Sequence, residues 1–141
     1  MNIAIIGSRG IPAGYGGFET LAERLSQYLP ERGHLVTVIG DQPELKSGGL
    51  SVKKTVFSKR SFPVLFYLES VLRCVKGFDA VLILGVGAGP FGFMLRRKGR
   101  ILVTNVDGME HLRSKFSLIK KIYVRVSQKL TARFSDTIVL D

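Results

Sequence analysis

The 141-residue chain has one cysteine, two histidines and only 11 acidic residues against 21 basic ones. A single cysteine, Cys74, excludes an intramolecular disulfide framework. Lying in an apolar helical run, it reads as a small buried hydrophobe rather than a nucleophile. His34 and His111 lie far apart without companion cysteines, so no metal-ligand spacing stands out. No apolar run approaches the roughly 20 residues that cross a bilayer, and residues 3–6 lack the basic flank of a secretory signal. A reduced, cytoplasmic compartment is the default expectation. The shortage of acids leaves a net charge of +10, which favours nucleic acid, an anionic membrane surface or phosphorylated ligands.

What is present is apolar and evenly spread. Apolar residues make up 45 % of the chain, which excludes disorder and suffices for the core of one domain. Residues 1–7 read as a short strand whose apolar residues run continuously over 3–6, as in a strand buried on both faces. Residues 8–15 form a loop holding Gly10, Pro12 and Gly14. From Gly16 to about Glu31, Phe18, Leu21, Ala22, Leu25 and Leu29 recur at helical spacing, and Gly33 supplies a stop. Residues 34–40 are a second strand, completing a βαβ unit. Residues 41–50 read as a polar surface loop and 51–57 as an outer strand, and Pro63 opens a helix to about Lys76. Strands follow at 78–84, 100–106 and 136–140, separated by a helix from Pro90 and a long helix over 114–134. The expected fold is α/β: a Rossmann-like, doubly wound, mostly parallel six-stranded sheet in the order 3-2-1-4-5-6, with helices on both faces.

Ligands of such sheets bind beyond the carboxyl ends of the strands, where the strand order reverses. That rule selects three loops: residues 8–17, 85–89 and 107–110. In the first, glycines let the backbone approach a ligand, and the following helix offers free N–H groups and a positive dipole end. The chemistry suits a diphosphate, with Arg9 adding charge; a merely structural tight turn fits equally. The spacing is neither a dinucleotide fingerprint nor a P-loop. Glu19, in the first helical turn, is favourable there for structural reasons alone, and Asp41 reads as loop polarity. Asp107, Glu110 and His111 follow the fifth strand, where a carboxylate or imidazole would orient or deprotonate a hydroxyl; a turn with a helix cap is the other reading.

Lys121, Arg125, Lys129 and Arg133 recur every four residues on one face of the last helix. Phe116, Ile119, Tyr123, Val126 and Leu130 form a separate apolar face. Lys59 and Arg60 stand beside a second apolar surface, residues 62–68. Lys59, Arg60, Lys121, Arg125 and Lys129 are therefore candidates for facing an anionic membrane; a solvated helix face over an ordinary core is the alternative. A nucleic-acid partner is not expected, since no recognised module appears.

The stretch Gly7, Arg9, Gly10, Ile11, Pro12, Ala13, Tyr15, Gly16, Gly17, Phe18, Glu19 and Thr20 resembles the start of a group of retaining family-4 glycosyltransferases of rhamnosyltransferase-like type. Residues 85–91 and 105–110 are similar to that group's later loops. The group usually carries an aromatic residue where His111 stands, and the segment after the second strand also departs from its pattern. The resemblance implies a GT-B enzyme of two facing Rossmann-like domains, with residues 1–141 as the amino-terminal, acceptor-side domain and the donor-binding carboxy-terminal domain outside this chain. It implies transfer from a nucleoside-diphosphate sugar to a saccharide or lipid-linked acceptor, without a metal or other cofactor. A stand-alone nucleotide- or phosphate-binding Rossmann module is the alternative. Candidate catalytic residues are Asp107 and Glu110. Candidate substrate-binding residues are Arg9, Gly14, Tyr15, Gly16, Gly17, Glu19, Gly87 and His111. Expected partners are the sugar nucleotide, the acceptor, the second domain and an anionic membrane surface, with a homodimer of the isolated domain as a further option.

Overall fold

An uninterrupted apolar run is stable only if both its faces are covered, and the first strand, β1 (Asn2–Ile6), meets that requirement from Ile3 to Ile6. Ala4 and Ile6 enter one apolar cluster while Ile5 between them enters another, as the two-residue pleat dictates. The computed structural model describes residues 1–14, 16–107 and 116–140. After β1 come α1 (Gly17–Glu31), β2 (Leu35–Gly40), β3 (Leu45–Ser47), β4 (Leu50–Lys54), α2 (Pro63–Cys74) and β5 (Ala80–Leu84). A 3₁₀ helix (Gly89–Leu95), β6 (Ile101–Val106), α3 (Leu118–Phe134) and β7 (Thr137–Leu140) complete the chain.

The strands form one sheet in the order β3-β4-β2-β1-β5-β6-β7. Every pairing is parallel except β3 with β4. The architecture is mixed α/β and consistent with a Rossmann-like fold, and the order reverses between β1 and β5. On one face α1 packs Phe18, Leu21, Leu25 and Leu29 against Ile5, Val36, Val38 and Val52. On the other, Phe66, Val71 and Cys74 of α2 and Leu95 of the 3₁₀ helix cover Ala4, Ile6, Val81, Ile83 and Leu102.

The sheet has seven strands rather than the six expected. Residues 45–47, read as loop, pair antiparallel with β4 across Gly48 and Gly49, with Ser47 opposite Leu50. Gly48 has φ +56°, the left-handed conformation a two-residue hairpin turn demands. This hairpin removes β4 from the edge, correcting its reading as an outer strand. The helix expected from Pro90 is a 3₁₀ helix, bonded at three-residue spacing at its start: Gly89 N–H to the Val86 carbonyl and Phe91 N–H to that of Ala88, both at 2.9 Å.

The last helix, expected from residue 114, begins at Leu118; residues 114 and 115 lie outside the described residues. Ser117 is its cap, its side chain accepting the Lys120 N–H at 3.3 Å. Its buried face also differs from expectation: Val124, Ser127 and Thr131 are inward, whereas Ile119 and Val126 are exposed. The cause is close approach, because a Cβ on Gly89 would collide with the Ser127 carbonyl and the Thr131 hydroxyl. Only small side chains on α3 permit that contact.

Candidate functional site

The carboxyl rim of the sheet carries the loop after β1, residues 41–44 after β2, residues 55–62 after β4, the turn after β5, and Asp107 after β6. The loop after β1 is held from within. Glu19 is 8 % exposed, and its carboxylate accepts the Arg9 N–H at 3.1 Å. One turn further along α1, Glu23 accepts the Ala13 N–H at 3.2 Å. Ile11 plugs into the apolar cluster beneath α1. Glu19 thus braces the turn, while Gly14, Gly16 and Gly17 remain exposed above it. No side chain among the described residues caps the start of α1.

Asp41, expected to be mere loop polarity, ties three segments together. Its carboxylate receives the Arg9 Nε–H at 3.4 Å and the Lys59 main-chain N–H at 3.0 Å, and its own N–H donates to the Arg9 carbonyl at 2.8 Å. The Arg9 guanidinium therefore leans toward β2, with its side chain 47 % exposed.

Lys59, a candidate for facing a membrane, donates from Nζ to the Gly7 carbonyl at 2.6 Å. The ammonium lies 5.8 Å from the Phe18 ring centre and 5.9 Å from that of Tyr67, within cation–π range. A lysine stem is long enough to cross the rim, and the desolvated carbonyl at the end of β1 offers a stronger partner than water.

This ammonium stands at the wall of a cavity of about 650 Å³. The cavity is enclosed by Phe18 of α1, by Pro63, Val64 and Tyr67 of α2, by the 85–87 turn, and by residues 116–124 including the start of α3. Gly87 is required there, since a Cβ would enter the Tyr67 ring. Its carbonyl accepts the Tyr123 hydroxyl at 2.7 Å, and burial raises the Tyr123 phenol above its ordinary pKa. Arg60 and Lys120 add two further charges to the lining, Lys120 lying 4.0 Å over the Phe116 ring.

Of the candidate residues, Lys59, Arg60 and Gly87 line this cavity, as does Phe18, which follows Gly17 in the chain. Asp107 is exposed just beyond β6. Tyr15, Glu110 and His111 lie outside the described residues. Among the described residues no three His, Cys, Asp or Glu converge as a metal site would need, and no helix is long and apolar enough to cross a membrane. Arg60, Arg125 and Lys129 are exposed and Lys121 is half-buried. The residues sequence reasoning missed are Tyr67, Tyr123 and Lys120, none of which belongs to a motif.

Fold and rim together define a Rossmann-like domain with a cationic cavity at the switch point of its sheet. The sequence model of a domain of unknown function, DUF1972, matches residues 1–41, which span β1, the glycine-rich loop, α1 and β2. No curated protein matches the chain.

Proposed function

We propose that the chain is the amino-terminal, acceptor-side domain of a GT-B glycosyltransferase that moves a sugar from a nucleoside-diphosphate sugar to a saccharide or lipid-linked acceptor. The observation that carries this reading is the coincidence of two features. The matched segment 1–41, of a type associated with glycosyltransferase amino termini, contributes its glycine-rich loop to the rim that holds the cationic cavity. A resemblance to the retaining, rhamnosyltransferase-like group supports it further.

In this reading, negative charge grows on the departing diphosphate as the anomeric bond breaks. The exposed main-chain N–H groups of Gly16 and Gly17, at the positive end of α1, meet that charge where it develops; one such donor is worth about 10²–10³ in rate elsewhere. Lys59 and Arg9 strengthen the field on either side of the turn. Asp107 and Glu110 orient and deprotonate the acceptor hydroxyl. The positive charge comes from side chains and helix ends, so the reading calls for no cofactor.

The outward arc of α3 supports peripheral membrane attachment. Leu118, Ile119, Ile122 and Val126 are exposed there, interleaved with Arg125 and Lys129, the composition of an interfacial helix. Retention on anionic liposomes at low salt, lost in high salt, tests it; failure to be retained at low salt removes it.

The test of the function is a panel of nucleoside-diphosphate sugars offered to residues 1–141 and to the complete gene product. Transfer by the complete product and none by residues 1–141 is the expected result. A complete product that neither binds nor turns over any sugar nucleotide contradicts the transferase reading and favours a phosphate-binding module.

A further inference from the structure

The cavity between α2 and α3 has a composition that selects its ligand. Its body is apolar: Phe18, Pro63, Val64, Val86, Ile119 and Val124 line it. The two tyrosines contribute rings, and the Tyr123 hydroxyl is committed to the Gly87 carbonyl. Among the described residues no Asp, Glu, Asn or Gln lines the cavity, so its described lining lacks the carboxylate and amide side chains that read sugar hydroxyls or the edge of a base. Among the described residues its charges are all positive and come from separate places: Lys59 and Arg60 after β4, and Lys120 in the first turn of α3. The helices α2 and α3 both begin at this rim, adding their positive dipole ends. At about 650 Å³ the space is of small-molecule size.

We propose that this cavity binds an anionic amphiphile, a phosphate or diphosphate ester of an aliphatic chain. The chain lies on the α2–α3 wall, and the phosphate sits at the mouth among Lys59, Arg60 and Lys120. The inference rests on the transferase reading only in making this amphiphile the acceptor; the binding itself is independent of transfer. Apolar burial and charge are both needed. The wall offers little polar complementarity to a free phosphate, and an uncharged chain would bring no counter-charge to the mouth.

The experiment compares farnesyl diphosphate, inorganic pyrophosphate and farnesol as ligands of the purified chain, by calorimetry and thermal shift at low salt. Farnesyl diphosphate is expected to bind at least about tenfold more tightly than either half alone, and more weakly as salt rises. Arg60→Ala and Lys120→Ala, both at exposed positions, are each expected to weaken it about fivefold, the scale of a solvent-screened charge pair. Val64→Asp, which sets a carboxylate at the mouth, is expected to weaken it further. Pyrophosphate or farnesol binding as tightly as farnesyl diphosphate overturns the proposal, as does a folded Arg60→Ala/Lys120→Ala double variant that binds like the parent. Retention on phosphatidic-acid vesicles without binding of dissolved farnesyl diphosphate also overturns it, assigning the charge to a bilayer surface instead. The two readings fail separately. Farnesyl diphosphate binding in a protein that transfers no sugar leaves this site standing, whereas transfer to a soluble saccharide without such binding removes it alone.

Discussion

The carboxylate of Glu19 accepts the main-chain N–H of Arg9 at 3.1 Å, from the first turn of the helix that the same loop leads into. The turn is thereby shaped by its own helix before any ligand arrives. Glu19→Ala leaves that N–H without its acceptor and should cost about 1–2 kcal/mol, with faster amide exchange confined to residues 8–14. Glu19→Gln keeps an acceptor oxygen and should restore most of the loss. Equal exchange in the parent and the alanine variant would remove the brace.

Glu69 predicts acid sensitivity. Burial by itself raises its carboxyl, but N–H donors from Val56 and Phe57 at 2.9–3.0 Å, with Arg73 at 2.7 Å, outweigh it and hold the pKa below the ordinary 4.5. A folded-state value below the unfolded one contributes stability above the unfolded pKa and loses it as pH falls through the folded value. Urea midpoints should therefore decline below about pH 4.5 in the parent, and decline less in Glu69→Gln. Parallel pH profiles would contradict the assignment.

Cys74 should be chemically silent. Burial pushes its thiol up to about 12, with Arg100 and Lys53 only partly opposing the shift. The thiolate is the reactive form, so a thiol reagent at neutral pH should label the chain only after denaturation. Rapid stoichiometric labelling of the native protein would show that α2 opens readily.

Gly89 tests the contact that seats α3. A Cβ there meets the Ser127 carbonyl, so Gly89→Ala should destabilise by about 1–3 kcal/mol through overpacking. Gly17→Ala has open space around it and should be neutral or slightly stabilising. Thermal melts of the two variants side by side distinguish a local collision from a general cost of replacing glycine.

The sheet was legible because a parallel strand buried on both faces leaves an unbroken apolar run, and residues 3–6 and 80–84 carry one. The hairpin at 45–54 was not, although Gly48-Gly49 is a turn signal, because β3 has only three residues, all exposed and without an apolar rhythm. The rim loops followed from the strand order. Lys59 could not be placed, since its direction depends on a carbonyl 52 residues away, and a basic pair beside apolar residues suggests an outer surface first. The role of Glu19 was visible only as a favourable charge in a first turn; its acceptance of the Arg9 N–H depends on the fold of the loop.

The most direct measurement is an amide-resolved NMR titration of the complete gene product with a nucleoside-diphosphate sugar. Shifts concentrated at residues 9–17, 59–60 and 85–87, and diminished in Lys59→Met, are the predicted outcome. Shifts confined to the opposite rim around Arg96–Arg100, or none at saturating ligand, would contradict a sugar-nucleotide site at the carboxyl ends of β1 and β5.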